Sequence, residues 1–345
     1  MRALVLAEFR QMELRELPKP VVASGEVLVR VAYVGICGTD LHGYTGANGR
    51  RVPGQVMGHE ASGWIAAAAP LGSSSSDNVG QAVTFNPLIS CGHCAACNAG
   101  HEQLCENRRV IGVDPTIVSA FAEYVVVPAK NVHALPPTMP LDHGALVEPV
   151  AVALHAARRG NVSAGDSVLI LGGGPIGQSA VLAARASGAA RVAVSEIDAG
   201  RRKICERLGA DAFDPMSGPL AAQLLTRWNK LADVAIDAVG IGPSMRDAVD
   251  AIRSGGTVVL VGMGATAFEL SPYPITTAEK SMVGSYCYAS SDFADAVQLV
   301  ADYAGDVAEL IASRVPLVDA PGAFERLDRE GDLPGKVLIQ LAASR

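Results

Sequence analysis

Over the first 150 residues, apolar and polar positions alternate in short stretches that glycine and proline separate. Residues 25–38 (GEVLVRVAYVGICG) show the period of two that is typical of a half-buried strand. Residues 63–85 are typical of two strands around a polar turn with serines at 73–76, and residues 120–136 of another strand pair. The pattern predicts a closed or partly closed β domain.

From residue 151 the pattern changes to buried strands that alternate with helices. A strand, a glycine turn and a helix come first, and further strands and helices follow, at 166–189, 191–198, 199–210, 232–240, about 243–253 and 255–264. Strands that alternate with helices are typical of a parallel, doubly wound sheet. The sequence therefore predicts an α/β protein whose second part is built on such a sheet.

The last stretch returns to an irregular β texture and ends in an apolar strand at 335–341 (GKVLIQL). A lone strand needs a sheet to pair with, so we expect this stretch to rejoin the first domain. The predicted organisation is a β-rich domain over 1–150, completed by about 290–345, and a doubly wound α/β domain over 151–289.

Charge and hydropathy argue against two classes of partner. The formal net charge is −7 and there is no long basic run, whereas nucleic-acid binding needs clustered lysine and arginine. Apolar runs stay short of the ~18 residues that indicate a membrane span. Charged residues follow after only a few apolar residues at the N-terminus, and this pattern does not fit a signal peptide. We expect a cytoplasmic protein that binds neither nucleic acid nor membranes.

Four of the seven cysteines fall in one short loop with the spacing C-x2-C-x2-C-x7-C, at Cys91, Cys94, Cys97 and Cys105. Disulfides are rare in a reducing compartment, and the odd total also argues against a disulfide framework. Four thiolates at this spacing can close a tetrahedron around Zn²⁺, which defines a structural site. A redox C-x-x-C motif and unliganded cysteines are the alternatives.

A glycine turn follows the first strand of the second domain. Gly172, Gly174 and Gly177 form G-x-G-x-x-G between a strand and a helix, which is the context that makes this motif informative. The first glycine allows a tight turn, the second a close approach of a pyrophosphate, and the third close packing of helix on strand. The free amides and the dipole of the helix N-terminus favour an anion there.

A carboxylate completes this fingerprint, because Glu196 follows Gly177 by 19 residues at the end of the next strand. In that place it can accept hydrogen bonds from the adenosine ribose and repel a 2′-phosphate, so we expect NAD rather than NADP. Arg201 and Arg202 are a counter-signal, because a nearby arginine can accept that phosphate. A structural turn with a surface glutamate is the alternative.

A second set of possible metal ligands is dispersed along the chain. One short segment carries Cys37, Thr39, Asp40 and His42, and the other residues stand apart, at His59, Glu60 and Glu148. Together they offer sulfur, nitrogen and oxygen ligands, a mixture that suits a catalytic zinc with one open position. Each residue alone is equally compatible with an ordinary core or surface role.

The motifs GICGTDLH (35–42), GHE (58–60), the four-cysteine loop, EPVAVALHA (148–156) and LGGGPIG (171–177) occur in an order and spacing that span nearly the whole chain. In these motifs the sequence resembles the zinc-dependent medium-chain dehydrogenases of the alcohol dehydrogenase superfamily. It resembles most the branch of sorbitol, butanediol and threonine dehydrogenases. The resemblance implies a GroES-like catalytic domain, a Rossmann domain, NAD and two zinc ions per subunit.

The resemblance also implies roles for individual residues. Cys37 and His59 would be catalytic zinc ligands, Glu60 or Glu148 would supply a carboxylate ligand, and Asp40 would accept the free ring N–H of His59. Thr39 and His42 would relay the proton of the alcohol. Cofactor-binding residues would be those of the glycine turn and the carboxylate region: Gly172, Gly174, Pro175, Ile176, Gly177, Glu196 and Arg201.

The expected reaction is hydride transfer to NAD from a secondary alcohol in a polyol, sugar alcohol or vicinal diol. A threonine 3-dehydrogenase and a sugar-acid dehydrogenase are alternatives in the same class, and a non-enzymatic NAD-binding protein is one from another class. Tyr44, Arg50 and Arg51 are candidates for the substrate pocket or else exposed loop residues. By resemblance we expect a homodimer or homotetramer.

Overall fold

The structure of the chain is a computed structural model that describes residues 1–47, 49–68, 78–331 and 333–342. The chain divides into two compact units, Met1–Glu148 with Ala289–Arg345, and Pro149–Tyr288. The predicted α/β class, with one β-rich part and one Rossmann part, is confirmed. The turn predicted at 73–76 lies outside the described residues.

The described residues form strands, helices and short 3₁₀ turns. In chain order the strands are β1 (Arg2–Glu8), β2 (Gln11–Glu16), β3 (Glu26–Gly35), β4 (Glu60–Ala68), β5 (Ala82–Phe85), β6 (Leu88–Ile89), β7 (Arg109–Val110), β8 (Tyr124–Pro128), β9 (Val132–Ala134), β10 (Ser167–Leu171), β11 (Arg191–Ser195), β12 (Asp211–Phe213), β13 (Ala232–Asp237), β14 (Ile252–Leu260), β15 (Ser281–Gly284), β16 (Ile311–Pro316) and β17 (Lys336–Gln340). The helices are α1 (Gly38–Tyr44), α2 (Ala95–Asn98), α3 (Leu141–Gly144), α4 (Val147–Arg159), α5 (Pro175–Ala186), α6 (Ala199–Arg207), α7 (Leu220–Trp228), α8 (Gly242–Ala251), α9 (Tyr273–Thr277), α10 (Ser290–Asp302), α11 (Ala304–Glu309) and α12 (Ala320–Glu330).

A mixed sheet with the order β16-β17-β3-β4-β5-β9 organises the first unit, and β8 also pairs with β3. Almost every residue of β3 is buried, so the strand is covered on both faces rather than half-buried as its sequence pattern predicts. Its residues Val27, Val29, Val31 and Val34 belong to the same core cluster as Phe121 and Phe324, whose rings meet edge to face at 5.7 Å. The last residue of β3, Gly35, lies opposite Glu60 of β4 on one side and Leu338 of β17 on the other. This register brings residues from distant parts of the chain to one end of the sheet.

A parallel sheet with the order β12-β11-β10-β13-β14-β15 organises the second unit. Every residue of β10 is buried, as a strand covered on both faces requires. The strand order reverses between β10 and β13, and the carboxyl ends at such a switch point are the usual ligand-binding edge of an open α/β sheet.

The structure corrects two further sequence expectations. Most of the segment after residue 289 was expected to be irregular β structure, but it contains α10, α11 and α12 in addition to β16 and β17. The buried residues Phe293, Ala296, Val297 and Val300 of α10 follow the helical period. The two strands expected at 120–136, β8 and β9, pair with β3 and β5 rather than with each other.

Candidate active site and metal centres

Cys37 stands directly before α1, and Asp40 fixes the start of this helix. Cys37 is the N-cap residue of α1, and Asp40 is the third residue of the helix. The Oδ2 atom of Asp40 accepts a hydrogen bond from the Cys37 N–H at 3.1 Å, which is one half of a capping box. Thr39 and His42 are three residues apart on α1 and therefore share a face of the helix. The Thr39 side chain is half-buried and His42 is exposed.

Three of the predicted ligands meet in the first unit. One ligand atom each of Cys37, His59 and Glu60 lies within 4.8 Å of the other two. The register of β3 and β4 places them, because Cys37 follows β3 by two residues and Glu60 begins β4 opposite Gly35. His59 and Glu60 are buried, and Cys37 is half-buried.

These atoms suit a zinc ion. They comprise a sulfur, a ring nitrogen and a carboxylate oxygen, which is a ligand mixture found in catalytic zinc sites. The Oε2 atom of Glu60 is buried and has no hydrogen-bond partner among the described residues. A buried carboxylate oxygen without a partner is costly, and a bound cation would satisfy it.

Glu148 is the other predicted carboxylate ligand. It lies in the first turn of α4 and is buried, but among the described residues it does not belong to the group within 4.8 Å. Its charge is nevertheless close enough to act on His59. The geometry of this chain therefore favours Glu60 over Glu148 as the carboxylate nearest to Cys37 and His59.

Asp40 lies behind His59 and is fully buried. Its Oδ1 atom is 3.6 Å from Nδ1 of His59, which is an ion-pair distance and longer than a hydrogen bond. Burial opposes a charge on the His59 ring. The carboxylate of Asp40 and the side chain of Cys37 outweigh this effect, and they raise the pKa of His59 to about 10 in the metal-free protein, so a metal that binds this ring must displace a proton.

Two of the candidate pocket residues are buried instead of lining an exposed loop. The Nη2 atom of Arg51 lies 3.6 Å from Oδ1 of Asp40, and the Arg51 side chain is only 1% exposed. Tyr44 packs against Phe324, and its hydroxyl donates a hydrogen bond to the Arg10 carbonyl at 2.7 Å. Arg50 is exposed.

Sequence reasoning missed the role of Arg51 beside Asp40 and missed Lys336 altogether. Lys336 begins β17, and its Nζ atom lies 2.7 Å from Oε1 of Glu60. Burial disfavours its charge, but the nearby charges of Glu60, Cys37 and Glu148 outweigh burial and raise the pKa of Lys336. No local motif marks this lysine, because 276 residues separate it from Glu60.

The four cysteines of the loop also come together. The Sγ atoms of Cys91, Cys94, Cys97 and Cys105 all lie within 4.8 Å of one another. The Sγ–Sγ distance is 3.9 Å between Cys91 and Cys97 and 3.5 Å between Cys94 and Cys97. A tetrahedral site with Zn–S bonds of ~2.3 Å has sulfur–sulfur edges of ~3.8 Å. All seven cysteines carry free thiols, so the loop fits a structural zinc.

Replacing Cys91 by serine is expected to remove about one equivalent of zinc per chain. Because a structural zinc contributes folding energy, we also expect a fall in melting temperature of at least ~4 °C, for a loss above ~2 kcal/mol. Cys287→Ser, which removes a thiol outside both metal clusters, is the matched control. Metal analysis and thermal unfolding of both variants test this, and an unchanged zinc content in Cys91→Ser would contradict the assignment.

The predicted glycine turn joins β10 to α5 in the second unit. Gly172 has a φ of +91°, a conformation that favours glycine. A Cβ at Gly177 would lie 1.8 Å from the Gly172 carbonyl oxygen, so this position excludes any side chain. Pro175 occupies the start of α5 and Ile176 follows it, half-buried. A Cβ at Gly174 would make only an ordinary contact, at 3.9 Å from Nη1 of Arg201.

Glu196 lies at the carboxyl end of β11, beside this turn. Its Oε2 atom accepts a hydrogen bond from the Gly173 N–H at 2.7 Å, and its Oε1 atom accepts one from the Asp198 N–H at 2.8 Å. The nearest guanidinium atom of Arg201 is 3.8 Å from Oε2. The structure thus brings the predicted cofactor-binding residues of the second unit together at the adjacent carboxyl ends of β10 and β11.

Two alanine substitutions in the turn are expected to behave differently. Gly177→Ala should destabilise the second unit by about 1–3 kcal/mol or more, because the new Cβ meets backbone. Gly174→Ala should fold normally and raise KM for NAD by about tenfold or more, because this glycine permits the close approach of a pyrophosphate. Thermal unfolding and cofactor kinetics separate the two effects, and normal cofactor kinetics in a folded Gly174→Ala variant would refute the assigned role.

A glycine-rich turn with an acidic strand end, together with a mixed S, N, O ligand cluster, defines a metal- and nucleotide-dependent dehydrogenase. Comparison with known proteins agrees. Residues 23–137 match the alcohol dehydrogenase GroES-like domain, and residues 175–302 match the zinc-binding dehydrogenase family. The chain belongs to the zinc-dependent medium-chain alcohol dehydrogenases, and the predicted family and enzyme class are confirmed.

Individual relatives align over almost the whole chain. The 2-dehydro-3-deoxy-L-galactonate 5-dehydrogenase of Pseudoalteromonas atlantica is 37% identical, with 93% of each sequence covered. D-xylulose reductase A of Aspergillus niger is 34% identical, with 94% of this chain and 93% of the relative covered. The crystal structure of galactitol-1-phosphate dehydrogenase from Escherichia coli matches at a TM-score of 0.91 and 28% identity, over 99% of this chain and 100% of that one.

Solved structures similar to this chain hold NADP in one case and NADH in another, so a nicotinamide dinucleotide is the cofactor type associated with this fold. No helix in the described ranges is both long enough and apolar enough to cross a membrane.

Proposed function

We propose that this protein oxidises a secondary alcohol in a polyol, sugar alcohol or vicinal diol, with NAD as hydride acceptor. The observation that carries the proposal is the approach of Cys37, His59 and Glu60 to within 4.8 Å, at the positions that the sequence motifs assign to a catalytic zinc. The relatives act on polyols and sugar acids according to their names, which supports this class of substrate.

Cys37 and His59 would hold the metal, with Glu60 as the nearest carboxylate and Asp40 orienting the His59 ring. A bound zinc would act as a Lewis acid toward the substrate hydroxyl. Thr39 and His42 share a face of α1, half-buried and exposed respectively, so a proton leaving the hydroxyl could pass along this face to solvent. The four cysteines of the loop would hold a second, structural zinc.

The preference for NAD is supported by Glu196. Its carboxylate is fixed by two backbone amides at the strand end, where it would meet the adenosine ribose. A negative charge in this place favours ribose hydroxyls and repels a 2′-phosphate. The guanidinium of Arg201 lies 3.8 Å from this carboxylate, so Glu196 neutralises part of the positive charge of Arg201 within the protein.

A sugar acid is the second candidate substrate, and the 37% identical relative is named for such a reaction. Threonine is a third candidate, from the family resemblance alone. A purely NAD-binding role without catalysis is not supported, because the chain belongs to a family of dehydrogenases and keeps Cys37, His59, Thr39 and His42.

An NAD-reduction screen tests the proposal. Sugar alcohols, vicinal diols, sugar acids and threonine are compared by kcat/KM, with metal analysis on the same sample. The proposal predicts the highest kcat/KM on a neutral polyol or diol, and a higher value on a sugar acid would select the second candidate. A zinc-loaded protein that reduces no NAD with any of these would contradict the proposed reaction. We further propose that the protein is cytoplasmic and forms a homodimer or homotetramer. Light scattering after gel filtration would test the oligomeric state.

A further inference from the structure

The sheet of the first unit places two charged residues on either side of a glycine. Glu60 begins β4 and Lys336 begins β17, and the strand between them, β3, ends at Gly35. A Cβ on Gly35 would lie 2.1 Å from Oε2 of Glu60. The carboxylate therefore occupies the space that a side chain at position 35 would fill, and from there it reaches Lys336.

The two charged groups form a buried ion pair. The distance from Nζ of Lys336 to Oε1 of Glu60 is 2.7 Å, and the side chains are 3% and 0% exposed. Lys336 also donates a longer hydrogen bond, of 3.4 Å, to the Ile36 carbonyl. Only one oxygen of Glu60 has a hydrogen-bond partner among the described residues, because Oε2 has none.

Glu60 is therefore a carboxylate with two possible cationic partners. One is Lys336, which already holds Oε1. The other is a divalent metal at Cys37 and His59, whose ligand atoms lie within 4.8 Å of a Glu60 oxygen. A buried carboxylate strongly favours pairing with a cation, so loss of one partner strengthens its interaction with the other.

We propose that Lys336 is a positioning residue of the catalytic metal centre, which competes with the metal for Glu60 and so keeps a coordination position available to substrate. The inference rests on the proposed metal site. It explains why a lysine is buried at this strand end and why position 35 has no side chain. Without Lys336, Glu60 would ligate the metal more tightly and permanently.

The test is Lys336→Met, which keeps the length of the side chain and removes its charge. Co²⁺ is loaded at Cys37 and His59 while zinc stays in the four-cysteine loop, and the affinity of this first site for Co²⁺ is measured by competition with a chelator. We expect about tenfold tighter binding or more, because a charge-assisted hydrogen bond that competed for Glu60 has been removed. We also expect a loss of visible absorption intensity, because Glu60 would act as an additional oxygen ligand in a larger fraction of the molecules, and a lower kcat.

A merely structural lysine would give the opposite result, because a disturbed outer shell normally weakens metal binding. Lys336→Arg keeps the charge and should resemble the wild type. Lys280→Met, which removes a lysine bonded to the Val249 carbonyl in the other unit, should leave cobalt affinity unchanged. Weaker or unchanged cobalt binding in Lys336→Met would overturn the inference.

A second comparison covers the case in which the unpaired Glu60 prevents folding. In a Glu60→Gln background no carboxylate remains for Lys336 to hold, so adding Lys336→Met should not reduce the visible absorption of the cobalt protein. A reduction there would show that Lys336 acts by another route. If the wild type itself binds no cobalt at Cys37 and His59, the proposed metal site fails, which is a distinguishable outcome.

Discussion

Cys37→Ser is expected to lower kcat/KM by about 10³-fold or more, while the affinity for NAD stays within about twofold of the wild type. Cys37 is the sulfur of the cluster with His59 and Glu60, and a hydroxyl is a much poorer zinc ligand than a thiolate. Loss of a Lewis acid removes several kcal/mol of transition-state stabilisation, and ~4 kcal/mol corresponds to about three orders of magnitude in rate.

Steady-state kinetics, metal analysis and fluorescence titration with NADH on one preparation check this result. Cys287→Ser is a suitable control, because this cysteine belongs to neither metal cluster. Turnover that survives in a Cys37→Ser protein lacking the catalytic zinc would refute the catalytic assignment.

Glu196→Ala is expected to raise KM for NAD by about 10–100-fold and to narrow the preference for NAD over NADP. Hydrogen bonds to a charged group contribute roughly 1.5–3 kcal/mol, and a loss of this size lowers the affinity for NAD by about 10–100-fold. Removal of the carboxylate would also free Arg201, now 3.8 Å from Glu196, to interact with a 2′-phosphate.

Measurement of kcat and KM with NAD and with NADP tests this prediction. Glu206→Ala, which removes an exposed carboxylate from the neighbouring helix α6, should change neither cofactor's KM appreciably. If Glu196→Ala kept the wild-type ratio of NAD to NADP, the proposed discrimination by this carboxylate would be wrong.

Much of the architecture could be predicted because its signals are local. The period of two in β3, the buried run of β10 and the glycine turn before α5 all lie within single short segments. The four-cysteine loop is local as well, so the approach of its four sulfur atoms could be predicted from spacing. Such signals depend on neighbours in sequence, which the chain displays directly.

The missed features depend on contacts that are distant in sequence. The 290–345 segment ends in a strand, and this terminal β pattern obscured the helical period of α10, where Phe293 and Ala296 are buried. Lys336 acquires its significance only when β17 pairs beside β3, and Arg51 only when its loop folds against Asp40. Pairing between strands that are distant in the chain carries no local sequence pattern.

The most direct test of the account is anomalous diffraction at the zinc edge from crystals of the zinc-loaded protein. The account predicts an anomalous peak within bonding distance, ~2.0–2.3 Å, of both Cys37 and His59, and a separate peak among the four loop cysteines. If zinc occupied the cysteine loop while Cys37 and His59 pointed apart with no peak between them, the catalytic site described above would be contradicted.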